Sequence, residues 1–266
     1  MTIQREAVVI LGSGYVAHFM LSLTSFYRLV LHTSRNPFRH LTWVPPQQRL
    51  RFDLNEPDTW RDIPSKADLL WCFPAWPFAA VQHFASRIHG PSRRLVVLGS
   101  TSAYDIGGVD EYPPPWIDET APIDLGKPRV QGEEFLRREC GAIVLRVAGI
   151  YGPGRDPHHW ITTGRVTLSD KYVNLIHVED LATICTAALA CGRSGAVYNV
   201  SDGIPRTWSE IGRGLFGGQA EQWRGEKHAS GKRLDTTKLR SMLQEAGTSL
   251  RHPDLFRSLQ DLQQAQ

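Results

Sequence analysis

Glycines 12 and 14 and Ala17 carry the clearest chemistry in this chain. They lie in Gly12-Ser13-Gly14-Tyr15-Val16-Ala17, directly after the apolar run Ala7-Val8-Val9-Ile10-Leu11. A buried strand running into G-x-G-x-x-A, followed by helix-compatible residues 18–23, is the arrangement that binds the pyrophosphate of a dinucleotide. The first glycine permits the tight turn, and the second lets the backbone approach the phosphates. The small Ala17 lets the following helix pack on the sheet, with its free N–H groups turned toward negative charge. Backbone from Ser13, Tyr15 and Val16 belongs to the same cradle.

The end of the second strand decides which dinucleotide fits. An acidic residue there would accept from a ribose 2′-hydroxyl. This chain instead reads Leu31-His32-Thr33-Ser34-Arg35, with no carboxylate. Arg35 can meet a 2′-phosphate with charge-assisted hydrogen bonds and Ser34 can add another, so NADP is expected over NAD. Asp53-Leu54, just after the third strand, can touch the adenine amino group, although a turn-initiating aspartate explains Asp53 equally well.

These residues need a sheet to hold them. Besides the first run, apolar segments at Arg28 to His32, Arg49 to Phe52, Asp68 to Cys72, Leu95 to Gly99, Ala142 to Val147 and Val197 to Val200 read as strands. Most are separated by stretches of helical length. The alternation predicts an α/β fold, a doubly wound parallel sheet of about seven strands. Residues 1–154 form the dinucleotide-binding part. Residues 155–266 complete the sheet over about 173–200 and supply a small C-terminal cap on the substrate side, with helices at Trp208 to Leu215 and Thr236 to Ala246. The run Tyr112-Pro113-Pro114-Pro115-Trp116 excludes helix interior and central strand and reads as a surface loop.

Composition narrows the class. The 266 residues are 41% hydrophobic and 21% charged, with a net charge of +3. That is an ordinary globular balance, too weakly basic to argue for nucleic acid. The basic tract Arg224 to Arg240 is interrupted by Glu226 and Asp235 and reads as a solvated face. Cys72, Cys140, Cys185 and Cys191 lack C-x-x-C spacing and read as reduced thiols, neither a disulfide framework nor a zinc site. His158 and His159 are adjacent and point apart, so no metal site is expected. No apolar stretch has the length of a membrane span, and no signal-peptide pattern opens the chain, so a cytoplasmic protein is expected.

Five further segments, in order, resemble the extended short-chain dehydrogenase/reductase superfamily, which includes the NAD-dependent epimerase/dehydratases. They are the serine segment Val97 to Tyr104, the acidic loop Asp118 to Pro122, Leu145 to Arg155 (similar to L-R-x-x-x-I-Y-G-P-G-R), Val173 to Ala182 (similar to N-x-I-H-V-x-D-L-A) and Tyr198 to Asp202. The resemblance implies a Rossmann sheet, a hydroxyl beside the fifth strand that orients the substrate, and a tyrosine acid/base with a lysine four residues on. The hydroxyl position falls on Ser100, with Thr101 beside it. The lysine position falls on Arg129 and the tyrosine position on Leu125; a register through Lys127 puts Ile123 there instead. The Y-x-x-x-K pair is absent, and the pattern is similar to the YeeZ-like branch that lacks the catalytic tyrosine. Arg129 retains a charge able to hold the ribose, but leucine transfers no proton.

Tyr104 is the first candidate for the missing acid, ahead of Tyr112, His177 and Tyr151, although a ring at that place more often packs under the loop. Tyr151 lies in the turn whose backbone is expected to pass the cofactor, where its side chain reads as packing, and Asp180 is expected to cap the helix after His177. The fourth strand exits through Trp71-Cys72-Phe73-Pro74-Ala75-Trp76-Pro77-Phe78. Phe73 and Pro74 are expected beside the cofactor, and Trp76, Phe78 and Trp116 beside an apolar or aromatic substrate. The expected function is NADP(H)-dependent oxidoreduction of a small carbonyl or imine. The alternatives are a catalytically silent NADP-binding sensor and, disfavoured for want of the tyrosine, a sugar-nucleotide epimerase. A homodimer through the helix containing Gly132 to Arg138 is a further expectation.

Overall fold

The computed structural model describes residues 5–88, 93–105, 111–223 and 231–264. Seven parallel strands form one sheet: β1 (Arg5–Leu11), β2 (Tyr27–Ser34), β3 (Arg49–Arg51), β4 (Asp68–Trp71), β5 (Leu95–Ser100), β6 (Ile143–Val147) and β7 (Val197–Val200). Their spatial order is β7-β6-β5-β4-β1-β2-β3. The order reverses between β1 and β4, and the carboxyl ends on either side of that point open a crevice. Leu11, which precedes the glycine loop, pairs with Trp71, which precedes the aromatic exit of β4. Register therefore carries Gly12 alongside Cys72, and a Cβ built on Gly12 would stand 3.0 Å from Phe73 Cδ1.

Helices cover both faces, as a sheet buried on both sides requires. One face packs against α1 (Phe78–Ile88) and α2 (Pro128–Glu139), the other against α3 (Val178–Cys191) and α5 (Thr237–Glu245). Two apolar clusters fill these layers. The first holds Val8, Ile10, Leu70, Val96 and Leu145 with α3; the second holds Val9, Leu11, Leu69, Trp71 and Phe84. Alternate residues of β1 thus serve opposite layers, as strand geometry demands. A third cluster joins Tyr151, Trp160, Ile161 and Leu168 to α4 (Trp208–Phe216) and α6 (Leu255–Gln264), and is the core of the C-terminal cap.

Two local features differ from expectation. The segment after the glycine loop, Tyr15–Ser25, is 3-10 rather than α-helical and is interrupted at Met20. Three short ladders also escape a periodicity reading: Gly149–Tyr151 with Leu175–His177, Tyr172–Val173 with Arg206–Thr207, and Trp116–Ile117 with Arg233–Leu234. The last takes Trp116 out of the expected loop and fastens it to the cap. All four cysteines are free. Residues 224–230 of the basic tract lie outside the described residues. Among the described residues, no helix is long and apolar enough to cross a membrane.

Candidate dinucleotide cleft and the adjoining serine turn

A cleft of about 370 Å³ opens at the β1–β4 reversal. Gly12, Ser13 and Gly14 form its floor, Ser34 and Arg35 its far end, Asp53 and Leu54 one wall, and Phe73 and Trp76 the other. Gly12 has φ +97°, which only glycine adopts without strain, and its N–H donates to Thr33 Oγ1 at 3.0 Å. That bond ties the turn to β2. Gly14 is extended (φ −72°, ψ −175°), and a Cβ added there meets nothing within 4 Å. The space over the Gly14 backbone is thus open.

The flanking loop residues point elsewhere. Val16 and Ala17 are buried in the sheet-facing cluster, so only their backbone is available to a ligand. The Tyr15 hydroxyl donates to Pro153 O at 3.0 Å, and Arg155 lies over its ring at 5.0 Å. Tyr15 therefore closes the glycine loop against the 152–155 turn.

At the end of β2, Ser34 Oγ is 2.8 Å from His40 Nδ1 and accepts from Asn36 N at 3.2 Å. Arg35 lines both this cleft and a neighbouring hollow with Arg49 and Arg51. Arg51 is paired with Glu56 at 2.5 Å, and Arg49 is held by the carbonyls of Val44 and Thr42. Asp53 initiates a turn at the edge of the cleft. It lines the cleft, and its Oδ1 accepts from Asn55 N at 2.9 Å in an Asx turn. His40 and Asn55 are cleft residues that no sequence pattern flagged.

On the β4 side, Phe73 packs on Trp71 with ring centroids 4.8 Å apart, and its Cδ1 lies 3.0 Å from a Cβ built on Gly12. Trp76 is 58% exposed at the cleft mouth. Pro74 is exposed, its carbonyl accepting from Trp76 N at 2.7 Å, and is absent from the cleft lining. Phe78 differs from its expected place beside a substrate. Its ring sits edge-on to Phe135, 5.6 Å away, because it opens α1 on the side that packs against α2.

One strand over, Ser100 ends β5 and its Oγ accepts from Ser102 N at 3.2 Å. Thr101 and Ser102 continue the turn, where three cationic side chains meet. Arg129 Nη2 donates to Ser102 Oγ, Lys127 Nζ to Ser102 O at 2.8 Å, and Lys232 Nζ to Thr101 O at 2.9 Å. Lys232 comes from the cap, beside the Trp116 ladder, and was invisible to motif reasoning. Arg233 lies over the half-exposed Trp116 ring at 5.1 Å. Leu125, one of the two residues that the resemblance sets at the tyrosine position, is 50% exposed and precedes α2 altogether.

The structure corrects three roles. Tyr104 is buried, its hydroxyl donating to Asn199 Oδ1 at 2.5 Å and its ring under Arg146 at 4.6 Å. Burial raises its pKa, and it holds β7 to the serine segment rather than facing a substrate. Tyr151 is fully buried, edge-on to His177, and pushed up to about 12 by burial; its ring belongs to the cap core, not to the cofactor cleft. His177, not Asp180, caps α3, its Nδ1 accepting from Glu179 N at 3.3 Å. Because α3 begins at Val178, Asp180 lies inside the first turn. Its carboxylate instead accepts from Arg251 N at 2.7 Å and His252 N at 3.0 Å. Potential ligand atoms of His177, Glu179 and His252 lie within 4.8 Å of one another, a grouping that sequence spacing did not suggest.

Beneath the serine turn, Glu133 of α2 is almost fully buried, and a Cβ on Gly99 would stand 2.7 Å from its Oε2. Burial pushes its carboxyl up to about 7, against the pull of Arg129 and Arg146. A glutamate in the unfolded chain ionises near 4.5. The folded state therefore binds the extra proton, and stability is lost as pH rises from about 4.5 through 7. Thermal melts of Glu133→Gln should gain on the native chain steadily from pH 5 to about 8. A constant difference across that range would show that Glu133 does not titrate there.

No family model matches the chain. It is similar to protein YeeZ of Escherichia coli K12, 31% identical over 114 residues that span 40% of this chain and 39% of that protein. The match therefore reaches about two fifths of the curated relative's length. Solved structures extend the likeness across the whole fold. A putative NAD-dependent epimerase/dehydratase of Methylobacillus flagellatus superposes with a TM-score of 0.71 at 22% identity, covering 99% of this chain and 98% of that one. Bordetella bronchiseptica WbmG in complex with NAD gives 0.72 at 16%, covering 98% and 94%. Human epimerase family protein SDR39U1 with NADPH gives 0.67 at 14%, covering 98% and 100%. These neighbours share the Rossmann-like sheet, and some hold NAD or NADPH.

Proposed function

We propose that this chain is an NADP(H)-dependent oxidoreductase of the extended short-chain dehydrogenase type, in its YeeZ-like branch, acting on a small carbonyl or imine. The observation that carries the reading is the cleft at the β1–β4 reversal. It combines an unobstructed Gly14 backbone with Ser34 and Arg35, and its wall at the β2 end bears no carboxylate from that strand.

The residues present fit a dinucleotide phosphate. Gly12 to Gly14 would take the pyrophosphate, Ser34 and Arg35 the 2′-phosphate, and Asp53 with Leu54 the adenine. When bound, the cofactor would supply or accept a hydride, and water would supply or take up the proton that the substrate oxygen or nitrogen gains or loses. Ser100 and Thr101 orient the substrate oxygen, and Phe73 and Trp76 exclude water from the cleft mouth. Arg129, fixed on Ser102, keeps positive charge beside that turn without acting as a proton donor.

A second reading, a silent NADP-binding sensor, is favoured by one observation: Leu125 stands exposed where the acid/base tyrosine would be. Fluorescence titration separates the cofactors, and NADPH oxidation against a carbonyl panel separates the readings. NADPH should bind tighter than NADH, and Arg35→Ala should remove at least about tenfold of that preference. Equal affinities in both proteins would refute the role of Arg35. Turnover on any panel member supports the enzyme, and tight NADPH binding with none supports the sensor.

A further inference from the structure

Three cations on a three-residue turn are electrostatically costly unless something negative joins them. Lys127 and Arg129 stand at the N-terminus of α2, the positive end of the helix dipole, where acidic residues are favoured and cations are not. That first turn contains no acidic residue, and Lys127 in the N-cap position offers it no side-chain cap. Among the described residues, Asp124 lies 3.2 Å from Lys127, and the buried Glu133 feels the charge of Arg129, which leaves Lys232 without a carboxylate in salt-bridge reach. Lys232 is half-buried, and Lys127 and Lys171 add repulsion to the cost of its desolvation; together these lower its pKa. Like charges held close, partly out of water and against a helix dipole, are destabilising on their own account. They are ordinary where a site awaits an anion.

The surroundings indicate what kind of anion. Trp116 and Tyr112 are about half exposed on the cap side, with Tyr112 5.8 Å from Tyr172 and Arg233 lying over Trp116. These aromatic rings adjoin the charged turn through the chain segment Lys232-Arg233.

We propose that Lys127, Arg129 and Lys232 form an anion-recognition site over the Ser100–Ser102 turn, so that the substrate is a carbonyl compound bearing a carboxylate on an apolar or aromatic body. The proposal rests on the reading of that turn as the substrate site, and it deepens the reading by naming the substrate class. The carboxylate bridges Lys232 and the α2 N-terminus while Trp116 and Tyr112 flank the body. Lys232 thus links the substrate to the segment whose short ladder pairs Arg233–Leu234 with Trp116–Ile117.

The test uses sodium benzoate and its neutral counterpart benzamide, titrated calorimetrically into the full chain with and without NADP+. Benzoate should bind in the millimolar range and benzamide should not. Lys232→Gln and Lys127→Gln should each weaken benzoate by about tenfold, and Lys232→Arg should restore it. NADPH affinity, read by fluorescence on the same proteins, should be unchanged. Equal binding of benzamide, no benzoate binding in the millimolar range, or full benzoate affinity in Lys232→Gln would each overturn the proposal. Benzoate binding without NADPH binding would instead leave the anion site standing and remove the cofactor reading. Melting curves confirm that each variant is folded.

Discussion

Gly14→Val should abolish dinucleotide binding while leaving the fold intact. Gly14 has φ −72° and ψ −175°, a region open to β-branched residues. A Cβ there touches nothing in the protein, so no packing is lost or strained. The isopropyl group would instead stand where the pyrophosphate must approach the loop. Losing two backbone–phosphate hydrogen bonds corresponds to at least about a hundredfold in affinity. Melting temperature should stay within a degree or two of the native value, since exposed substitutions without strain move stability by under about 0.5 kcal/mol. A variant that binds NADPH normally would show that the ligand lies elsewhere. One that unfolds would show that the open space is needed by the protein itself.

Gly132→Val should do the opposite, removing stability first. Gly132 lies in α2 where that helix crosses the aromatic exit of β4. A Cβ there would stand 2.0 Å from Ala75 O and 3.0 Å from the Ala75 side chain. The obstacle is backbone, so no rotamer change relieves it, and either α2 or the 73–77 segment must move. Overpacking of a tight core costs about 1–3 kcal/mol, and displacement of two backbones belongs at or beyond the upper end. Chemical denaturation should therefore show a loss of about 3 kcal/mol. Because α2 also carries Arg129 and Glu133 under the serine turn, any folded remnant should lose benzoate binding as well. Native stability in Gly132→Val would mean that α2 sits farther from the β4 exit.

The contrast between these glycines shows what the sequence could convey. All seven sheet strands are legible because each carries a short apolar run, most of them buried on both faces as in β1, β4 and β6, and their bounds fall within two residues of those runs; β3, Arg49–Arg51, is the weakest, with no fully buried residue. The cleft was legible because one short motif, Gly12 to Ala17, and the residues ending β2 and following β3 and β4 supply most of its wall. The short ladders were not legible, since two or three residues carry no period. Lys232 was hidden for a different reason: it reaches Thr101 across 131 positions of chain, and no local pattern encodes that contact.

The tyrosines mark the boundary most clearly. Tyr104 and Tyr151 lie in the motifs that suggested chemistry, yet both rings turn into the core. Their motifs place them near the site along the chain, and the structure bears out packing, the alternative to a chemical role, for both rings. Tyr104 follows a 3-10 turn, Thr101–Ala103, that rotates its side chain under the loop toward Asn199. Phe78 is a similar case, drawn to Phe135 because helix packing claims its face.

The central claim is that the cleft bounded by Gly12 to Gly14, Ser34–Arg35 and Phe73 holds NADP(H). Fluorescence titration of the native chain with NADPH, run beside Gly14→Val, tests it most directly. The native protein should bind saturably and the variant at least about a hundredfold more weakly, with both proteins folded. No binding to the native chain, or the same affinity in both, would contradict it.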